Sequence, residues 1–312
     1  MPRDKLEKIA EGYLEQITDK IEEVQDERDL WEAGMCFTIA VMMQERDLPK
    51  EALKDINKAL KLSPDDPDYY YTKAEILLEL EKPKEALRSL HRCIELEDEE
   101  HDEEDTPRNP SSLMLKADVY HDLGKYKTAI DYGLKAIQMF KKQKIIKDPR
   151  KETLASAIYR VGHDYLHLKK YKESLKWLEK AEKQKPHDDI ALICFDKADA
   201  LTHLKRYDEA WKMARKSVDN DSTDGEFWLM YAYCMVLAKK ESYDVLRAFN
   251  FSAVLAETTA NFADNREWID ELNAITRYLK NADEDKMAKF MIKKIKKSFQ
   301  EIKVDRKKPL KK

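Results

Sequence analysis

His163 and His167 stand four residues apart, the spacing that places two imidazoles on one face of a helix. Together with His121, His203 and the carboxylates of Asp118, Asp122 and Asp199, they are the side chains best suited to hold a metal ion or to hydrogen-bond a ligand. Zinc sites also need fixed geometry and supporting partners, which spacing does not supply, so no metal ligand and no cofactor is assigned. No catalytic pattern accompanies these residues. The chain has no GxxxxGKS or GxxxxGKT, no GxGxxG, no GxSxG and no HExxH, and its 6 glycines leave little for a loop that cradles phosphate. Cys36, Cys93, Cys194 and Cys234 lie far apart without a CxxC pair, and read as small buried hydrophobes rather than zinc ligands, disulfides or nucleophiles. The chain is therefore expected to have no enzyme activity.

The composition describes what carries these residues. The 312 residues include 58 basic and 62 acidic side chains, 42% apolar residues and a net charge of -4, a balance that a disordered chain would not keep. With 6 glycines and 10 prolines, long loops are not expected, and few turns could use a glycine at positive φ. No run approaches the roughly 18 to 20 apolar residues that cross a bilayer, and the charged opening MPRDKLEKIAEGYLEQ lacks the apolar core of a signal peptide. A soluble, cytoplasmic protein is the expectation.

The elements announce themselves by repetition. DLPKEALKDINKALKLSPDD, EKPKEALRSLHRCIELED, GKYKTAIDYGLKAIQMFK, KKYKESLKWLEKAEKQKPHD and KRYDEAWKMARKSVDNDS share one pattern, each following an apolar helical stretch. Ala52, Ala86, Ala129, Ser174 and Ala210 align at spacings of 34, 43, 45 and 36 residues, so the base period is 34.

This pattern resembles the tetratricopeptide repeat (TPR), a helix-turn-helix unit with small residues at repeat positions 8, 20 and 27. Six units can be laid down over 33–66, 67–100, 110–143, 155–188, 191–224 and 225–258. Position 8 then reads Ala40, Ala74, Ala117, Gly162, Ala198 and Ala232; position 20 is small in all but the sixth unit, where Asp244 stands. Position 27 is Ala59, Cys93, Ala136, Ala181 and Ser217, and then Phe251. Close helix crossings leave room only for small side chains, which is the steric cause of the pattern. The resemblance implies an all-α, right-handed α-solenoid of TPR helix hairpins spanning 33–258, the last unit degenerate. An N-terminal capping helix is expected over 1–32, C-terminal capping helices over 259–302 and a basic tail over 303–312. The acidic run from Glu95 to Asp105 reads as a solvated loop, and KIIKDPRKETL as a lengthening of the helices around Pro149.

In this family the first helices face the ligand groove. The resemblance therefore implies a concave face made of Phe37, Tyr71, Met114, Tyr159 and Phe195, with Glu75, Asp118, Asp199, His121, His163, His167 and His203 beside them. An aromatic floor with acidic and imidazole sides suits an extended or helical peptide carrying apolar and basic side chains. The implied function is a non-enzymatic protein-protein interaction scaffold. Co-chaperones of this family that clamp the C-terminal carboxylate of Hsp70 or Hsp90 use Lys, Asn and Arg at five places, of which this chain matches only the Arg, at Arg160. Here those places hold Tyr71, Glu75, Leu115, Ser156 and Arg160, and Glu75 would repel a carboxylate, so the clamp is rejected. Lys286 to Lys312 contains twelve Lys or Arg and two acids, which leaves open an alternative adaptor role on a polyanion, either a nucleic acid or an anionic membrane.

Overall fold

The computed structural model describes residues 3–99, 109–143, 153–184, 189–258 and 269–281. Among these are thirteen α-helices and no β-strand. The chain divides into two compact units. The first contains α1 (Arg3–Glu45), α2 (Pro49–Leu62), α3 (Pro67–Glu79), α4 (Pro83–Glu99), α5 (Pro110–Asp122) and α6 (Tyr126–Gln143). The second contains α7 (Leu154–His167), α8 (Tyr171–Lys183), α9 (Ile190–His203), α10 (Tyr207–Asn220), α11 (Gly225–Leu237), α12 (Ser242–Thr258) and α13 (Ile269–Asn281). Consecutive helices pair into hairpins and hairpins stack on their neighbours within each unit, an all-α solenoid arrangement.

Local chemistry sets the helix starts. Proline opens α2, α3, α4 and α5, where its missing N–H costs nothing and its fixed φ suits the first turn. Asp66, Asn109 and Asp224 cap α3, α5 and α11 through their side-chain oxygens, and Thr153 with Ser156 forms a reciprocal capping box on α7. The turns inside the hairpins differ from the glycine-poor expectation. Asp47, Glu81, Gly124, Lys169, Lys205 and Lys239 occupy the same repeat position and all have φ between 54° and 68°. The next residue in each turn bonds back to the carbonyl five residues earlier, as in Lys82 to Leu77 and Arg206 to Leu201, the mark of a Schellman end. These bonds hold a left-handed residue in place even where it is not glycine.

The small residues lie where the crossings are tightest. Ala40, Ala74, Ala198 and Ala232 are fully buried, Ala117 nearly so, and Gly162 is buried as well. Ala52, Ala86, Ala129, Ser174 and Ala210 have no exposed surface either. The sixth hairpin shows why its signature looked lost. Four residues separate α11 from α12, against three in the hairpins before it, so the inward register of α12 shifts by one. Val245 and Ser252 are fully buried in place of Asp244 and Phe251, and Phe251 is exposed.

Two further differences concern the inserts and the ends. The first part of the acidic run is helix, because α4 continues to Glu99; Leu96 and Glu97 are buried, and the Ser112 hydroxyl donates to Glu97 at 2.9 Å. The lengthening of the helices expected around Pro149 falls mostly on residues 144–152, outside the described residues. At the front, α1 runs without a break across residues 32 and 33, and it carries exposed Val24, Trp31, Met35 and Met42 along one face. At the other end α13 buries Leu272, Ile275 and Leu279 against α11 and α12, and the Tyr278 hydroxyl donates to the Lys240 carbonyl in the longer sixth turn. The second C-terminal helix and the basic tail lie outside the described residues.

Candidate functional site

The first helices of the second unit, α7, α9 and α11, place the site residues one helical turn apart along each helix. On α7, Tyr159, His163 and His167 share one face, with Tyr159 and His163 ring centroids 5.8 Å apart and His163 and His167 centroids 4.7 Å apart. Asp196 on α9, buried at 2% exposure, anchors this row: its carboxylate lies 2.7 Å from Nδ1 of His163 and is also hydrogen-bonded by Tyr159. Burial above all, and then the Asp196 charge, pushes the Tyr159 phenol well above its ordinary pKa, so it stays a donor. Asp196 was not singled out in the sequence. It occupies a repeat position outside the usual groove set, and only the approach of α9 to α7 reveals its role.

Along α9 the face continues with Phe195, Asp199 and His203. Phe195 packs against Phe227 of α11 at 5.2 Å. His203 Nε2 lies 3.5 Å from Asp199, and the His203 ring stacks on Tyr171 at 4.3 Å with the planes 9° apart. Beside them is a cavity of about 80 Å3, lined by Asp199, Thr202 and His203 of α9, Tyr207 of α10, Tyr233 and Leu237 of α11, and Glu271 of α13. Asp199 and Glu271 are both largely buried, at 7% and 9% exposure. Two largely buried carboxylates lining one cavity with tyrosine and histidine side chains favour a cationic group. Glu271 escaped the sequence reading because α13 looked like packing alone; its neighbour Leu272 carried the periodic signal and Glu271 carried none.

The first unit places its residues differently. Phe37 stacks on Tyr69 at 5.0 Å, half-buried between α1 and α3. Tyr71 and Met114, expected on the ligand-facing floor, are buried at 4% and 0% exposure and do not reach the surface. Tyr71 belongs to a core cluster with Leu77, Leu90 and Leu115, because the neighbouring helix covers its repeat position. Glu75, Asp118 and His121 are partly exposed, and His121 meets the Tyr126 ring edge-on at 5.2 Å. Three of the four cysteines are core residues: Cys93, Cys194 and Cys234 are buried, whereas Cys36, expected to be buried too, is half-buried; burial raises the Cys194 thiol, which disfavours a nucleophilic thiolate.

No helix among the described residues is long and apolar enough to cross a membrane. Residues 71–143 and 155–188 each match a tetratricopeptide repeat family model. No curated protein sequence matches the chain. Among solved structures it is similar to a chain of the APC/C hetero-tetramer Cut9-Hcn1, at 13% identity and a TM-score of 0.62, over 80% of this chain and 43% of that one. It is also similar to PilF of Pseudomonas aeruginosa, at 13% identity and 0.55 over 80% and 97% of the two chains. The type IV pilus biogenesis factor PilW matches at 14% identity and 0.55 over 79% and 98%. These likenesses extend the helical-hairpin fold over most of the chain, while the chain spans under half of the Cut9-Hcn1 relative. With the two repeat matches, the stacked hairpins and the buried small residues at matching places, the chain carries tetratricopeptide repeats over residues 71–143 and 155–188 within an all-α solenoid of helical hairpins.

Proposed function

We propose that the chain is a non-enzymatic scaffold that captures a protein partner through an extended or helical segment bearing basic and apolar side chains. Tetratricopeptide repeats generally act as interaction scaffolds, and the first-helix face of the second unit supplies the chemistry. The observation that carries the reading is the small cavity that Asp199 and Glu271 line together with Tyr207 and Tyr233. A Lys or Arg side chain entering it would meet two carboxylates shielded from bulk water, where charge-assisted hydrogen bonds are strongest. Phe195 and the tyrosine rings beside it offer apolar contact for the flanking residues.

Selection from a displayed library of random 15-residue peptides tests this reading. Enrichment of sequences with a Lys or Arg flanked by apolar residues, with binding weakened at least tenfold in the Asp199→Asn, Glu271→Gln double variant, is the expected result. Recovery of acidic peptides, or binding indifferent to that double variant, would overturn it. The adaptor role on a polyanion rests on the basic segment beyond residue 285, outside the described residues, and no structural observation favours it.

A further inference from the structure

The His163–His167 pair does not line the cavity assigned to the partner, and its geometry points to a second kind of ligand. We infer that these two histidines form a binding site for a borderline divalent transition metal ion, of the class of zinc or copper. The Nε2 atoms of the two rings are 3.1 Å apart. A tetrahedral zinc ion with Zn–N bonds of about 2.0 to 2.1 Å requires two imidazole nitrogens separated by about 3.3 Å, so a shift of a few tenths of an ångström brings both to one ion. Both rings stand on one face of α7, a well-formed helix with a capping box at its start, so the two donors are held by rigid backbone.

The surroundings supply what spacing alone does not. Nδ1 of His163 lies 2.7 Å from the Asp196 carboxylate, which can only accept, so Nδ1 carries the proton. That fixes the tautomer and leaves Nε2 of the neutral ring as the acceptor of the hydrogen bond from His167, with a lone pair that a metal ion can take. A buried carboxylate behind a ligating imidazole is the arrangement that orients such rings and raises their basicity. In the neutral pair a single proton on His167 Nε2 bridges the two rings, and the metal ion would replace that proton. His163 is partly buried and His167 exposed, which gives an ion access from solvent. Two imidazoles leave coordination positions for water, and imidazole donors suit zinc, copper and nickel, with copper bound most tightly. Asp196 acts here as a positioning residue. The inference does not depend on the partner-binding reading.

The test is calorimetric titration of the metal-free full-length chain with Zn2+ and with Cu2+, joined to electron paramagnetic resonance of the copper form. One ion per chain is expected, with two imidazole nitrogens resolved in the copper spectrum. His163→Ala and His167→Ala should each lower affinity at least tenfold, and Asp196→Asn about tenfold. His203→Ala should leave affinity unchanged. Because His167 is exposed, its replacement tests the site without threatening the fold, and circular dichroism checks that of each variant. Absence of saturable binding, a copper spectrum with fewer than two imidazoles, or affinity retained in His167→Ala would overturn the inference.

Discussion

At the scale of single residues, two positions show how sterics and backbone geometry set stability. A Cβ on Gly162 would stand 3.0 Å from Cγ and Cδ2 of Leu178 and 3.2 Å from its backbone nitrogen. Gly162→Ala gains about 1 kcal/mol of helix propensity but must displace Leu178 by a few tenths of an ångström within a packed crossing, and overpacking of this kind typically costs about 1 to 3 kcal/mol. A net loss of about 1 kcal/mol is expected, read as a lower midpoint in urea denaturation. Lys205 presents the opposite case, since a side chain there holds φ at 60° where glycine would carry no strain. Lys205→Gly should raise stability by about 0.5 to 1 kcal/mol in the same assay, and no gain would mean that the turn bonds already relieve the strain. The small residues were legible in the sequence because a close crossing excludes everything larger. The left-handed turn positions were not, because Asp, Glu and Lys at those places carry no mark of positive φ.

At the scale of helices, charge as well as packing joins neighbours. Glu182 on α8 receives Lys197 of α9 at 2.6 Å and Lys216 of α10 at 2.5 Å, so one carboxylate ties three helices together. Burial alone would raise its pKa, but the hydrogen bonds and charges of the two lysines outweigh that, and the carboxyl is held below its ordinary range. A depressed folded-state pKa means that this contribution is full above the unfolded value near 4.5 and fades as the pH falls through the lower folded value. Glu182→Gln should therefore cost about 1 to 2 kcal/mol at neutral pH and flatten the acid limb of the stability profile, measured by urea titration between pH 3 and pH 7. The wild-type slope persisting in the variant would assign the acid sensitivity to another group. The register of α12 belongs to this scale too. One extra turn residue moves the inward face from Asp244 to Val245, which periodic alignment at a fixed spacing does not reveal. Exposed Trp31 on α1 gives a contrasting expectation: Trp31→Ala should leave the thermal midpoint within about 1 °C, since little packing is lost there.

At the scale of the whole molecule, the hairpin architecture was legible because a 34-residue period with matching small residues admits few alternatives. The surroundings of the residues expected in the groove were legible only in part. Asp199 and His203 carried over from the family pattern to a real cavity, whereas Tyr71 and Met114 share that pattern and are buried by the neighbouring helix. Glu271 and Asp196 were hidden because their roles arise from helix neighbours far apart in the chain, α13 on α11 and α9 on α7. The central claim is that the first-helix face of the second unit holds a basic segment of a partner. Amide hydrogen exchange with and without a peptide from the library selection examines this most directly. Slower exchange is expected in the last turns of α9 and in α11 and α13, with α2 and α4 unaltered. Protection confined to the first unit, or none in α9, α11 and α13, would contradict it.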